Sequence, residues 1–492
     1  MEPIGTITKY YHLLSGETRN VVEEFVKDAM SYYEFVHRLV DAADAYPMDS
    51  ELACFAFLQS ISFPDSWQKM GMRISESVVT KPMSFLRWDS LDPIPKDHLE
   101  DFEYSIKEAA SSEPYDWMLL HLYVFAGMDS PEPTSSKYLD SARRLIEKQP
   151  ELHCFSDMLH LIKARQHRIE GDVEGSLQSC DKAFDIATEY NDTISAANAL
   201  SFKATTIKDI DIHRALQLHD EAYSLIVERL TAFDATYLFA LPIGVTYETM
   251  GEYDLALAFY QKDFELKSKL ADHAEITQTF VASRVYCELG MPQQALEWLI
   301  SNSASLQFED SYLHSIAAKV FTLLGQLNDA ARHLASANRM VMESGNDYAI
   351  GEYLIARGQY ELASDELDAA PSSFQEALSL SIPQFQILAN YSLVGLTQVE
   401  VAKAVKGQTS GLNIHTSGPW MSRLEEHAHE RNFPGIRMQH AILKADYQAK
   451  ISEHEAAMHT LNDALNISNS PGLKTFRKMI NKRLEELEDI LQ

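Results

Sequence analysis

Several stretches of the chain set histidines and carboxylates close together, the residue types that hold metal ions or move protons. EEHAHE (425–430) combines His427 and His429 with three glutamates. Ligands two residues apart on a helix point to different sides, so the spacing favours a solvated acidic helix end over a metal site. HEAAMH (454–459) is the nearest text to an HExxH zinc helix, but its histidines stand five apart and fall on different faces. His153, His160 and His167 recur every seven residues. Neighbours in such a row sit about 10.5 Å apart along a helix, too far to share one ion. Packing inside the fold accounts for His160 and His167 better than a pH-sensitive interface does.

Other chemistry is equally sparse. The sequence has no phosphate loop and no GxGxxG or GxSxG pattern, and its acidic residues are too scattered to mark an acid–base pair. We therefore assign no catalytic, cofactor-binding or metal-ligating residue and read the chain as a binding protein rather than an enzyme. No cofactor is expected.

Bulk properties narrow the partners. Lys+Arg number 42 against 72 Asp+Glu, a formal charge of −30. That balance repels polyanions and argues against nucleic acid and acidic membrane as partners. No apolar run reaches the roughly 18 residues of a membrane span, and WMLLHLYVFAGM (117–128) reads as a buried helix. The N-terminus shows no signal-peptide pattern. The four cysteines form no CxxC pair, so a reducing, cytoplasmic setting is expected.

The elements that would position any site emerge from GEYDLALAFY (251–260). Related segments recur with turn positions at Gly171, Ile210, Gly251, Gly290, Gly325, Asp365 and Ser452, at intervals of 35 to 41 residues and one of 87 that skips an irregular unit. Seven residues before the turn stand Ala164, Lys203, Gly244, Ser283, Ala318, Gly358 and Ala445, small in all but one. Nine after it stand Cys180, His219, Tyr260, Leu299, Leu334, Phe374 and Leu461. Small residues before the turn and one large residue after it describe two antiparallel helices packed closely. Hairpins of this kind cannot bury both faces alone and must stack.

In ALPIGVTYETMGEYDLALAFY (240–260), Gly244, Tyr247, Gly251, Tyr253, Ala256 and Tyr260 stand at the signature spacing of the tetratricopeptide repeat, which this stretch resembles. The usual first tryptophan is Ala240, and Asp263 replaces the last alanine. Intervals near 40 make it similar to the long repeats in sensor regions of bacterial signal-transduction ATPases such as the maltose regulator, and to peptide-binding quorum-sensing receptors. The resemblance implies an all-α fold, a TPR-like α-solenoid in which antiparallel helix pairs wind into a right-handed superhelix. It spans about residues 150–470. Pro242, within a first helix, is expected to kink it.

Residues 1–112 read as an N-terminal helical region with helices around 17–45, 49–62, 65–79 and 97–110, residues 113–470 as the array, and 471–492 as a C-terminal capping helix. A polar loop (406–419) joins helices at 384–405 and up to Glu430.

The resemblance also implies that the first helix of each pair lines a concave groove. Its groove positions carry Arg165, Arg168, Lys208, Arg284, Lys319 and Lys450 against Glu248, Glu288, Glu352 and Asp446, reversing the whole-chain balance. Leu241, Val245 and Phe280 supply apolar rungs. The expected site is a partner-binding groove of Arg165, Arg168, Lys208, Leu241, Val245, Phe280, Arg284 and Lys319, suited to an acidic or amphipathic protein or peptide segment. A scaffold is the leading reading, a ligand-responsive sensor and a structural subunit the alternatives, with homo-oligomerisation left open.

Overall fold

A computed structural model describes residues 8–29, 32–46, 50–59, 134–229, 239–268, 276–303, 310–344, 346–381, 385–406 and 418–491. All the regular structure among them is helical. The chain divides into two compact units. Residues 1–207 and 214–239 make the first, and residues 208–213 with 240–492 the second.

The first unit contains α1 (Gly16–Phe25), α2 (Tyr32–Ala45), α3 (Ser50–Gln59), α4 (Thr134–Lys148), α5 (Ser156–Ile169), α6 (Val173–Glu189), α7 (Thr193–Ile207) and, from residue 214 on, α8 (Ile212–Arg229). The second contains α9 (Ala240–Thr249), α10 (Tyr253–Ser268), α11 (Ile276–Glu288), α12 (Pro292–Ser303), α13 (Ser311–Leu323), α14 (Leu327–Ser344), α15 (Asp347–Ala363) and α16 (Ala370–Ser381). It continues through α17 (Gln386–Val405), α18 (Pro419–Glu430), α19 (Pro434–Lys450), α20 (His454–Leu465) and α21 (Lys474–Leu491). In the second unit each helix packs against the next, and α11, α13, α15, α17 and α19 also pack in series, first helix on first helix. Stacked helical hairpins of this kind are TPR-like, as the sequence pattern requires.

One turn closes most of the pairs. Gly171, Gly251, Gly290, Gly325, Asp365 and Ser452 all have positive φ, between 66° and 79°. After each, the next N–H reaches back over the helix end: Asp172 to His167 O, Glu252 to Tyr247 O, Met291 to Tyr286 O, Gln326 to Phe321 O, Glu366 to Glu361 O and Glu453 to Gln448 O, all at 2.8–2.9 Å. This is a Schellman cap, which satisfies carbonyls the helix leaves open and needs a left-handed residue. Ile210 departs from the series. It is 60% exposed between α7 and α8 and does not have positive φ.

The size alternation in the sequence has a direct steric meaning. A Cβ on Gly244 would stand 2.5 Å from the Tyr260 ring, and one on Gly358 would stand 2.9 Å from the Phe374 ring. Tyr260 and Phe374 are fully buried, as are Ala256, Ala295, Ala330, Ala370 and Ala457 on the returning helices. Small residues let the backbones approach, and one large ring fills the remaining space at interior packing density.

Some expectations change. The stretch 17–45 is two helices, α1 and α2, with left-handed Asp28 between them. Pro242 causes no mid-helix break, because α9 begins at Ala240 and places it in the first turn, where its missing N–H has no partner to lose. The seven-residue histidine row is not one helix: His153 lies in a 3-10 turn (Pro150–Phe155) and His160 and His167 lie on α5. Helices α17 and α18 occupy the expected places, whereas residues 60–133, including WMLLHLYVFAGM, and 407–417 lie outside the described residues. No described helix is long and apolar enough to cross a membrane.

Candidate functional site

The first-helix positions that sequence reasoning assigns to a groove do converge in the second unit, but they converge inward. Arg284 on α11 is 1% exposed. Its Nε and Nη2 donate to the two carboxylate oxygens of Glu248 on α9 at 2.7 and 2.8 Å. Its Nη1 donates to Tyr348 Oη at 2.8 Å and to Glu352 on α15. Tyr391 on α17 and Tyr260 on α10 donate their hydroxyls to Glu248 as well. The guanidinium also lies 4.7 Å from the centroid of the Phe280 ring. Lys319 on α13 is buried and paired with Glu288, which accepts a further bond from Gln439 on α19.

Burial alone would lower the pKa of Arg284, but Glu248, Tyr348 and Glu352 more than offset it and hold the guanidinium charged. Lys319 follows the same logic, with Glu288 as the compensating charge. Glu352 moves upward, because desolvation outweighs the attraction of Arg284 and Lys319 and Glu248 adds repulsion. Arg284 and Lys319 are therefore neutralised by the chain's own carboxylates, the groups an acidic partner would otherwise supply.

The same interior is closed by contacts distant in sequence. Gly435 N–H donates to Met250 O at 3.1 Å, and a Cβ on Gly435 would fall 2.0 Å from Gly251 O. Asn390 Nδ2 donates to Thr249 O at 2.9 Å. Thr475 donates through N and Oγ1 to Asp254 at 2.8 and 2.6 Å, and Phe476 packs edge-on to Tyr253. The α9–α10 turn is thus gripped by α17, α19 and α21. Leu241 and Val245 on α9 are half-buried beside this core. Asp446 pairs with Arg483 of α21 at 2.8 and 3.1 Å, and Lys450 is exposed.

A different picture holds in the first unit. Arg165 and Arg168 on α5 are half-buried, and the Arg168 guanidinium lies 5.8 Å from the centroid of the Phe202 ring on α7. That contact sets α5 and α7, first helices of successive pairs, side by side with these residues on a shared face. Leu161 and Leu200 are half-buried apolar neighbours on the two helices. Arg165 and Lys163 form no ion pair among the described residues. The one carboxylate on α5, Asp157, is buried and accepts the N–H of Met158. Lys208 belongs to the segment packed with the second unit and pairs with Asp209 at 2.7 Å.

The histidine motifs resolve into packing and surface. His427 faces inward and its ring bonds Asn390 Oδ1 at 2.8 Å, while His429 is exposed. His314 and His333 bond each other, Nδ1 to Nδ1 at 2.8 Å, with ring centroids 5.1 Å apart. Those two distances set the nitrogens head-on, the geometry of a hydrogen bond rather than of two ligands converging on one ion. Among the described residues no group of three or more His, Cys, Asp or Glu side chains could hold a metal.

What sequence reasoning missed is the pairing itself. Glu248, Glu288 and Glu352 were on the first-helix face with Arg284 and Lys319, but nothing local tells that they meet. Tyr348, Tyr391 and Asn390 carried no signal beyond their place on first helices.

No protein-family model matches the chain, and no curated protein does. Among solved structures it is similar to yeast Tom70, at 12% identity over 98% of this chain and 96% of that one, with a TM-score of 0.34. It is also similar to a signal transduction ATPase with numerous domains and a tetratricopeptide repeat sensor from Pyrococcus horikoshii, at 11% identity over 92% of this chain, with a TM-score of 0.32. The match covers 61% of that second protein's chain. Both scores are low, and the fold assignment rests on the hairpin geometry.

Proposed function

We propose that the chain is a non-catalytic protein-interaction scaffold whose first unit holds an acidic segment of a partner protein against α5 and α7. One observation carries this reading. In a chain of formal charge −30, α5 sets Arg165 and Arg168 on one face, and its only carboxylate, Asp157, is buried. Arg168 and Phe202 add an aromatic-cation rung, and Leu161 and Leu200 give an amphipathic segment apolar footing. Among the described residues Cys154, Cys180 and Cys287 are buried and in no disulfide, which supports a reducing, cytoplasmic setting.

Reversing charge at Arg165 and Arg168 tests the reading. Binding of an acidic partner should fall at least tenfold, with helix content unchanged by circular dichroism. Unchanged affinity moves the interface off this face.

A further inference from the structure

The opposite flank of α5 gathers positive charge from four elements. The α5–α6 pair turns at Gly171, so His160 and Lys182, equally far from the turn, stand across from each other. Lys163 is one turn along α5 from His160, on the same side. The 3-10 turn before α5 packs on α4, the helix of Arg143, and holds His153 against the end of α6, where Tyr190 Oη lies 3.4 Å from His153 Nδ1. Arg143, His153, Lys163 and Lys182 are exposed and His160 is half-buried.

Burial lowers the His160 pKa first, and Lys182, Lys163, His153 and Arg143 add to that lowering, in that order. The carboxylates of the surrounding elements are Asp140 and Glu147 on α4, Glu151 in the 3-10 turn, Asp157 on α5, and Glu174, Asp181, Asp185 and Glu189 on α6. Asp140 is paired with Arg143 at 2.6 Å, Asp181 with Lys203, and Asp157 is buried. Lys163 and Lys182 form no ion pair among the described residues.

We infer that Arg143, His153, His160, Lys163 and Lys182 form an anion-binding patch that takes carboxylates of the partner's acidic segment, and that docking there is coupled to proton uptake at His160. The inference rests on the reading that the first unit docks an acidic segment, and adds its regulation. A bound carboxylate adds a negative charge beside Lys163 and Lys182, which favours imidazolium. By linkage, protonation must favour the carboxylate equally. Affinity therefore rises as pH falls through the range where His160 titrates. A Glu side chain, with its ordinary pKa near 4.3, stays ionised above about pH 5.5.

The test uses the full chain and a synthetic Glu-rich peptide, with a Gln-substituted peptide as control, by calorimetry between pH 5.5 and 8 in buffers of different ionisation enthalpy. The expected result is tighter binding at low pH, by about tenfold for each unit the peptide raises the His160 pKa, with uptake of up to about one proton. His160→Asn should keep the pH 8 affinity and flatten the pH dependence. Lys163→Glu with Lys182→Glu should weaken binding at least tenfold. Absence of peptide binding, binding independent of pH, or a profile unchanged in His160→Asn overturns the inference. If Lys163→Glu with Lys182→Glu binds normally while Arg165→Glu with Arg168→Glu does not, the patch fails and the docking face on α5 and α7 stands. If neither pair of changes matters, both fail.

Discussion

Arg284 of α11 and Glu248 of α9 form a bidentate ion pair, at 2.7 and 2.8 Å, with both side chains withdrawn from water. Two more first helices join it through Glu352 on α15 and Tyr391 on α17. This pair is the centre of the second unit's interior, and it explains why cations placed on a groove face are turned inward.

Removing one charge from such a cluster leaves the others buried and uncompensated. Arg284→Met should cost about 3–5 kcal/mol. Adding Glu248→Gln and Glu352→Gln should recover much of that loss, since the uncompensated charges disappear with it. Urea unfolding of the three variants measures both effects, and a mild cost for Arg284→Met alone would show that the cluster contributes little.

The closure of the second unit depends on two glycines meeting back to back. Gly435→Ala places a methyl 2.0 Å from Gly251 O, a backbone atom that cannot swing away. The expected cost is about 3 kcal/mol, at the upper end for overpacking. Gly290→Ala makes a useful comparison, because its Cβ meets nothing within 4 Å and only φ of 68° opposes it. It should cost about 1–2 kcal/mol. Equal costs in thermal unfolding would mean that the Gly251–Gly435 approach relaxes easily.

Acid should loosen the same closure. Asn390 donates its amide nitrogen to Thr249 O, so its oxygen accepts, and His427 Nε2 must carry the proton it shares. Burial first, then Arg431 and Arg423, push the His427 pKa down to about 4. Burial leads the same shift, also to about 4, at His219, His333 and His440. The unfolded chain takes up these protons near pH 6.5 and the folded one near 4. Stability should therefore be fully present above about pH 6.5 and fall as pH drops toward 4. His427→Gln should flatten part of that slope in urea titrations. A slope of opposite sign, or one untouched by the substitution, contradicts the assignment.

Much of the fold could be read before any coordinates. Of the turn positions the repeat pattern names, all but Ile210 have positive φ, and the small-before, large-after columns are the packed faces of real hairpins. Local rules suffice there, because a Schellman cap and a helix crossing each depend on residues within one pair. The face bearing Arg284, Lys319, Glu248, Glu288 and Glu352 was legible for the same reason. The meeting of residues 248–254 with 390–476 was not. It depends on curvature accumulated over several hairpins, each contributing a small rotation that no single residue encodes. Gly435 illustrates the gap. Only the approach of Gly251 from far along the chain reveals why no side chain fits there.

On the proposed reading, the first unit docks an acidic partner through the face of Arg165 and Arg168, while Arg284 and Lys319 in the second unit are paired internally. Affinity purification from native extract, with quantitative mass spectrometry, compares three full-length chains most directly. They are the wild type, Arg165→Glu with Arg168→Glu, and Arg332→Glu as an exposed charge reversal in the second unit. The expected result is an acidic protein captured by the wild type and by Arg332→Glu but lost from the double variant. Equal capture by all three, or loss from Arg332→Glu alone, would contradict it.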